Sequence, residues 1–282
     1  MKKSPLSSET LVGAVLLMLC CLPANAQSPP ATPPQQGTVA GLNDALLARA
    51  TALYDSAAKE GLRAFDCQVH PDWNRIMSSA RNGAPVATDD PKLALLNTVK
   101  IALHARLKGG SSLDWQAPAT PEKPLDQAAI SLLDRTHRAI ENTLQGWLKI
   151  WIPLVDGSVA GAFGAEAVNI AQSGNGYSLH SKDGSLTEEF DRDLLLKTYM
   201  TADAGSRMKI EPTFQPAGHG LLLGSFIANI HPAGAAEAAQ QMHVGIEYQT
   251  VSGVQIPARL TIEMPSVVEM DFRLDGCAVN PK

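Results

Sequence analysis

Beyond Gly164 apolar and polar residues alternate with a period of two almost to the end of the chain, and only an extended strand sends such neighbours to opposite faces. The clearest runs are Val244-Ile246-Tyr248, Ile256-Ala258-Leu260-Ile262-Met264 and Val268-Met270-Phe272-Leu274. Their intervening residues include Glu247, Arg259, Thr261, Glu263, Glu269, Asp271 and Arg273. Turn signals at Gly174-Asn175-Gly176, Asp183-Gly184 and Ser252-Gly253 join successive strands as hairpins. An antiparallel β-meander follows, with one apolar and one wet face, and the apolar face needs a cover.

Candidate covers lie upstream. From Val39 to Leu62, the positions Leu42, Leu46, Leu53 and Ala57 keep helical spacing, with Gly61 as C-cap. A longer helix is predicted from Leu125 to Trp151, through Ala129, Leu132, Leu133, Ile140, Leu144, Trp147 and Leu148, with Asp134, Arg135, Arg138 and Glu141 on its polar side. Pro153 is expected to stop it. Phe65, Cys67 and Val69 read as a short strand ended by Pro71, after which Asp72 caps a turn carrying Trp73, Ile76 and Met77. Asp90-Pro91 opens a short helix over Leu93 to Leu96, and Val99 to Leu107 alternates as a half-buried strand ended by Gly109-Gly110. The expected class is α+β: an antiparallel meander covered by amphipathic helices, in a single domain spanning 39–282.

The amino terminus reads as an export signal. Lys2 and Lys3 precede an apolar run from Leu11 to Leu22, then Pro23 and the small-x-small pattern Ala24-Asn25-Ala26, so cleavage is expected after Ala26. That run is shorter than the ~20 residues a membrane-spanning helix needs, and no later segment approaches this length. Cys20 and Cys21 inside it read as apolar fillers, because a lipidated cysteine normally follows a small residue and Leu19 stands there instead. Residues 27–38, with four prolines, form a linker. The mature protein is thus expected to be periplasmic or secreted, without a transmembrane anchor.

Of the four cysteines, Cys67 and Cys277 remain after cleavage, in a compartment that oxidises thiols, and a disulfide between them is expected. Closing so long a loop is worth about 4–5 kcal/mol in the chain-entropy model. The net charge of −5 leaves no basic stripe for nucleic acid. Nothing in the sequence fixes the oligomeric state.

Motifs for chemistry are sparse. The seven histidines include His219, His231 and His243 at intervals of twelve. A strand between the first two would hold them about 35–40 Å apart. No H-x-x-x-H or C-x-x-C pair completes a metal site, so neither a metal nor a cofactor is expected. Gly157-Ser158-Val159-Ala160-Gly161 has its serine misplaced for a nucleophile elbow. Glu188, Glu189, Asp191 and Asp193 lack the spacing of a calcium loop and read as a solvated face. No catalytic residue is assigned. An envelope hydrolase would require His70, His180 or His243 to converge with an acid and a serine.

The remaining feature is apolar. Leu260, Ile262, Met264, Met270 and Phe272 on the meander, with Trp147 and Trp151 on the long helix, either fill a core or line an incompletely filled pocket able to take an acyl chain. The segment Tyr248-Gln249-Thr250-Val251-Ser252-Gly253-Val254-Gln255-Ile256-Pro257, continuing to Ile262, resembles the "Y-x-x-V-x-G-x-x-I-P" hairpin of LolA-like extracytoplasmic lipoprotein carriers and lipid-binding relatives. The resemblance extends more weakly over Ala165 to Cys277. It implies a half-barrel of antiparallel strands, closed by helices, whose hollow admits lipid acyl chains. The carriers' lid arginine has no counterpart that can be aligned. The expectation is therefore a non-enzymatic binding protein for a lipid acyl chain or lipoprotein; the alternative is a structural or protein-interaction module of the cell envelope with a filled core.

Overall fold

A computed structural model of the chain describes residues 40–117, 125–155, 168–174, 176–181, 184–203, 206–232, 240–265 and 268–281. The export signal with Ala24 and Ala26, the linker, and the turn residues Asn175 and Asp183 lie outside the described residues.

In chain order the elements are helix α1 (Ala40–Leu53), strand β1 (Ala64–Pro71), helices α2 (Trp73–Ser79) and α3 (Pro91–Leu96), strands β2 (Lys100–Arg106) and β3 (Ser112–Gln116), and helix α4 (Gln127–Val155). Nine strands follow: β4 (Val168–Ser173), β5 (Gly176–Ser181), β6 (Leu186–Asp191), β7 (Leu196–Asp203), β8 (Ser206–Ala217), β9 (Gly220–Pro232), β10 (Gln240–Val251), β11 (Val254–Met264) and β12 (Val268–Val279). The fold is α+β. Its strands pair in one large antiparallel open sheet in the order β3-β2-β1-β12-β11-β10-β9-β8-β7-β6-β5-β4. Consecutive strands are neighbours from β4 to β12, as the alternating sequence requires. The hairpin signal Ser252-Gly253 turns with both residues at positive φ, 52° and 84°, the pattern that matches the twist of the flanking strands.

Three elements depart from expectation. Helix α1 ends at Leu53 rather than near Leu62, because Tyr54 leaves the helix to bridge Leu221 and Asp55 donates its N–H to the Leu221 carbonyl at 2.9 Å. Helix α4 runs through Pro153 instead of stopping before it. At this distance from the end the missing proline N–H forfeits one helical bond, while Leu154 and Val155 beyond it are buried and the Val155 carbonyl accepts from Ala57 N–H at 3.0 Å. Strand β3, not among the expected strands although Leu113 and Trp115 alternate there with Ser112, Asp114 and Gln116, pairs with β2.

The chain packs as two units. Unit 1 comprises Gly61–Ile150 and Gly245–Lys282. In it β1 pairs with β12 on one side and β2 on the other, so the first and last strands are neighbours, and Cys67 and Cys277 are joined by a disulfide. Phe65, Val69, Ile101, Leu103, Ile140, Leu144, Leu148 and Leu274 are buried here. Both short helices begin as their caps dictate: Asp72 accepts from Arg75 N–H at 3.0 Å, and Asp90 from Lys92 N–H at 2.9 Å.

Unit 2 comprises Trp151–Val244 and the described part of Leu22–Glu60. Its core includes Leu196, Ile210, Leu223, Phe226 and Ala228. Tyr54 fastens the segment after α1: its hydroxyl donates to the Leu194 carbonyl at 3.0 Å and accepts from Leu196 N–H at 2.6 Å, and its ring lies 4.8 Å from that of Phe214. Burial pushes the Tyr54 phenol above its ordinary pKa. Gly220 permits the close approach of this segment, since a Cβ there would stand 2.7 Å from the Leu53 carbonyl oxygen.

Candidate functional site

The seven apolar candidates are all inside the protein. Strands β11 and β12 put Leu260 opposite Phe272, Ile262 opposite Met270, and Met264 opposite Val268. Because side chains alternate, Leu260, Ile262 and Met264 share one face with Met270 and Phe272. Leu260, Ile262 and Phe272 have no measurable exposure, while Met270 retains 4% and Met264 7%. On α4, Trp147 and Trp151 are one turn apart and buried at 1% and 0% exposure. The structure thus brings the five sheet residues into one contiguous apolar patch in unit 1.

The Tyr248–Pro257 hairpin joins β10 to β11 just before this patch. Ile256 and Pro257 are buried at the start of β11, after the positive-φ turn. Gln249 ties three strands together from β10, its amide donating to the Pro257 carbonyl at 3.2 Å, the Leu274 carbonyl at 3.0 Å and Cys277 Sγ at 3.3 Å. Gly245 in β10 passes close over Thr261, whose Oγ1 would lie 2.6 Å from an added Cβ. These contacts fix backbone register; none places a reactive group.

The opposite, wet face of the same strands carries a charged ladder. Arg259 reaches Asp271 with two nitrogens, at 2.9 and 2.5 Å, and Glu247 at 3.2 Å. From α2, Arg75 meets Glu269 at 3.1 Å, Asp271 at 3.3 Å and Glu263 at 3.6 Å. The hydrogen bonds from Arg259, opposed by partial burial, hold the Asp271 carboxyl below its ordinary pKa, and the charges of Arg259 and Arg75 add to the effect. Near the start of β1, burial would raise the Asp66 pKa, but hydrogen bonds from Arg106 and His104 win and lower it. Beside the ladder, His70, Pro71, Asp72, Asp271 and Arg273 line an open polar cleft of about 270 Å³. His70 Nε2 lies 2.9 Å from Asp275 Oδ1, and Asp72 N–H is committed to the Asp271 carbonyl at 2.8 Å. His70-Pro71-Asp72 is therefore a strand end followed by a helix cap.

His219 immediately precedes β9 and His231 lies at the far end of that strand; His219 approaches Glu60 at 3.8 Å and His243 contacts Gln241 at 3.0 Å. Among the described residues no cluster of three metal-binding side chains occurs. His180 does meet a serine: its Nε2 lies 2.8 Å from Ser178 Oγ and its Nδ1 3.1 Å from Thr187 Oγ1. A triad needs a carboxylate where Thr187 stands. The contacts join rungs of the sheet instead.

One polar residue is placed contrary to expectation. Glu188, read as part of a solvated acidic face, has no exposed surface, and neither carboxyl oxygen has a hydrogen-bond partner. Strand parity explains it: Glu189 points out, so Glu188 points in, with Phe190. That alternation was the available signal.

Compared with family models, with curated proteins and with solved structures, the chain matches none. The disulfide is compatible with an oxidising, extracytoplasmic location, and no helix among the described residues is long and apolar enough to cross a membrane.

Proposed function

We propose that the protein is a non-enzymatic, extracytoplasmic binding protein for a lipid acyl chain or a lipoprotein, with a LolA-like half-barrel closed by helices. The observation that carries the reading is the one-sided apolar surface of β11 and β12, formed by Leu260, Ile262, Met264, Met270 and Phe272 directly after the Tyr248–Pro257 hairpin. Long alternating strands supply such a surface, and Trp147, buried in the same unit, supplies an aromatic group able to report a bound chain. Export after Ala26 would deliver the protein to the compartment where lipoproteins are handled.

Native mass spectrometry after gentle purification, paired with tryptophan fluorescence during titration with a long-chain fatty acid, tests the reading. Co-purifying lipid, or saturable quenching at micromolar ligand, is expected. Repeated absence of both overturns it. The near-complete burial of all seven candidates favours a second reading, a structural or interaction module of the envelope with a filled core. In that case the fatty acid leaves thermal stability and fluorescence unchanged.

A further inference from the structure

The residue in unit 2 least explained by packing is Glu188. Across the sheet, β-pairing aligns Ile170, Leu179, Glu188, Tyr199, Ile210 and Ala228 in one row from β4 to β9. Leu179, Tyr199, Ile210 and Ala228 are buried, so the carboxyl sits in the middle of an apolar stripe. Among the described residues, the titratable groups on that side are Tyr177 from β5, Tyr199 from β7 and Tyr54 from the segment after α1. Asp55 lies beside Tyr54, and Asp191 ends the same strand as Glu188. None of these is a cation. His180 and Lys209 occupy the alternate positions of β5 and β8 and therefore the other face, while the exposed Lys197 pairs with Asp191 at 3.4 Å. A fully buried carboxylate with no hydrogen-bond partner is strongly disfavoured when ionised, whereas the neutral acid is tolerated.

The surrounding ladder is also the part of unit 2 best able to open. Strands β4, β5 and β6 have six residues each, against 12 in β8 and 13 in β9, and β4 is the terminal strand of the sheet. The β6–β7 register breaks between Glu189 and Phe190, one residue beyond Glu188. Short strands beside an edge and a bulge open at lower free energy than long central ones.

We propose that Glu188 is a proton-operated latch: protonated, it lies within the apolar row and the β5–β6–β7 ladder is closed; deprotonated, it forces that ladder open to water. Burial accordingly raises the Glu188 pKa well above 4.5. The closed state retains a proton that the open state releases. Closure is therefore most stable below pH 4.5 and weakens as pH rises towards the raised value, by up to about tenfold in the opening equilibrium per pH unit. The inference is independent of the acyl-chain reading.

Amide hydrogen exchange on the full mature chain at pH 5 and pH 8, corrected for intrinsic rates, tests it. Wild-type β5–β7 amides are expected to lose protection at the higher pH by at least tenfold, while β1 and β12 keep theirs. In Glu188→Gln and Glu188→Met, which cannot ionise, protection of β5–β7 is expected to be the same at both pH values. Equal loss in the wild type and a folded variant overturns the latch. Should neither variant fold, the wild-type comparison decides: unchanged β5–β7 protection between the two pH values overturns the proposal, and selective loss supports it.

Discussion

Gly220 lies where two stretches of backbone nearly touch, with φ at 144° and no room for a Cβ between the Leu53 carbonyl and Asp55 N–H. Replacing it with alanine is expected to destabilise the protein by about 1–3 kcal/mol, read from the denaturant midpoint. Gly253 is a useful control: its φ of 84° also disfavours a side chain, yet nothing lies within 4 Å, so Gly253→Ala should carry the smaller conformational penalty of about 1 kcal/mol. Tyr54 exercises its effect through one oxygen, and Tyr54→Phe strands the Leu196 N–H in a buried site. A loss of about 1–3 kcal/mol is expected from the same measurement, with little change in fluorescence of the folded state. Both sites lie outside the apolar patch, so ligand-induced quenching, where present, should survive in either variant at low denaturant.

At the level of elements, β11 and β12 join the apolar patch on one face to an ion-pair ladder on the other. Leu260→Ala or Phe272→Ala is expected to cost about 3–5 kcal/mol, since each leaves a cavity in a fully buried layer. The ladder acts through pH instead. Asp271 and Asp66 have pKa values lowered by their arginine and histidine partners, so their stabilisation is present above the ordinary value of 3.8 and disappears as pH falls through the lowered values. A thermal-melting series should show an acid limb below pH 4 that Asp271→Asn reduces. Those carboxylates and Glu188 work in opposite directions, the first on the acid side and the second as pH rises. The meander strands, α2, α3 and the body of α4 were legible in the sequence because period and caps are local properties. The early end of α1 and the passage of α4 through Pro153 were not, because partners distant in sequence, Leu221 and Ala57, take the backbone bonds concerned.

For the whole molecule, the disulfide connects residues 210 positions apart, on neighbouring first and last strands. Reduction, or Cys67→Ser with Cys277→Ser, is expected to lower unfolding free energy by about 2–5 kcal/mol, and a non-reducing peptide map should recover the linked pair. The sequence by itself determined the α+β class and the hairpin order of the meander, because alternation and turn chemistry need no long-range information, and the expected pairing of Cys67 with Cys277 is the one the structure holds. It also named the five residues of the β11–β12 patch, for which strand parity suffices. Only the tertiary structure decided that β1 closes against β12, that Arg75 of α2 joins the Asp271 ladder, and that Glu188 is cut off from water. Each depends on which distant surfaces come together and exclude solvent, and burial is a property of the packed assembly rather than of any segment within it.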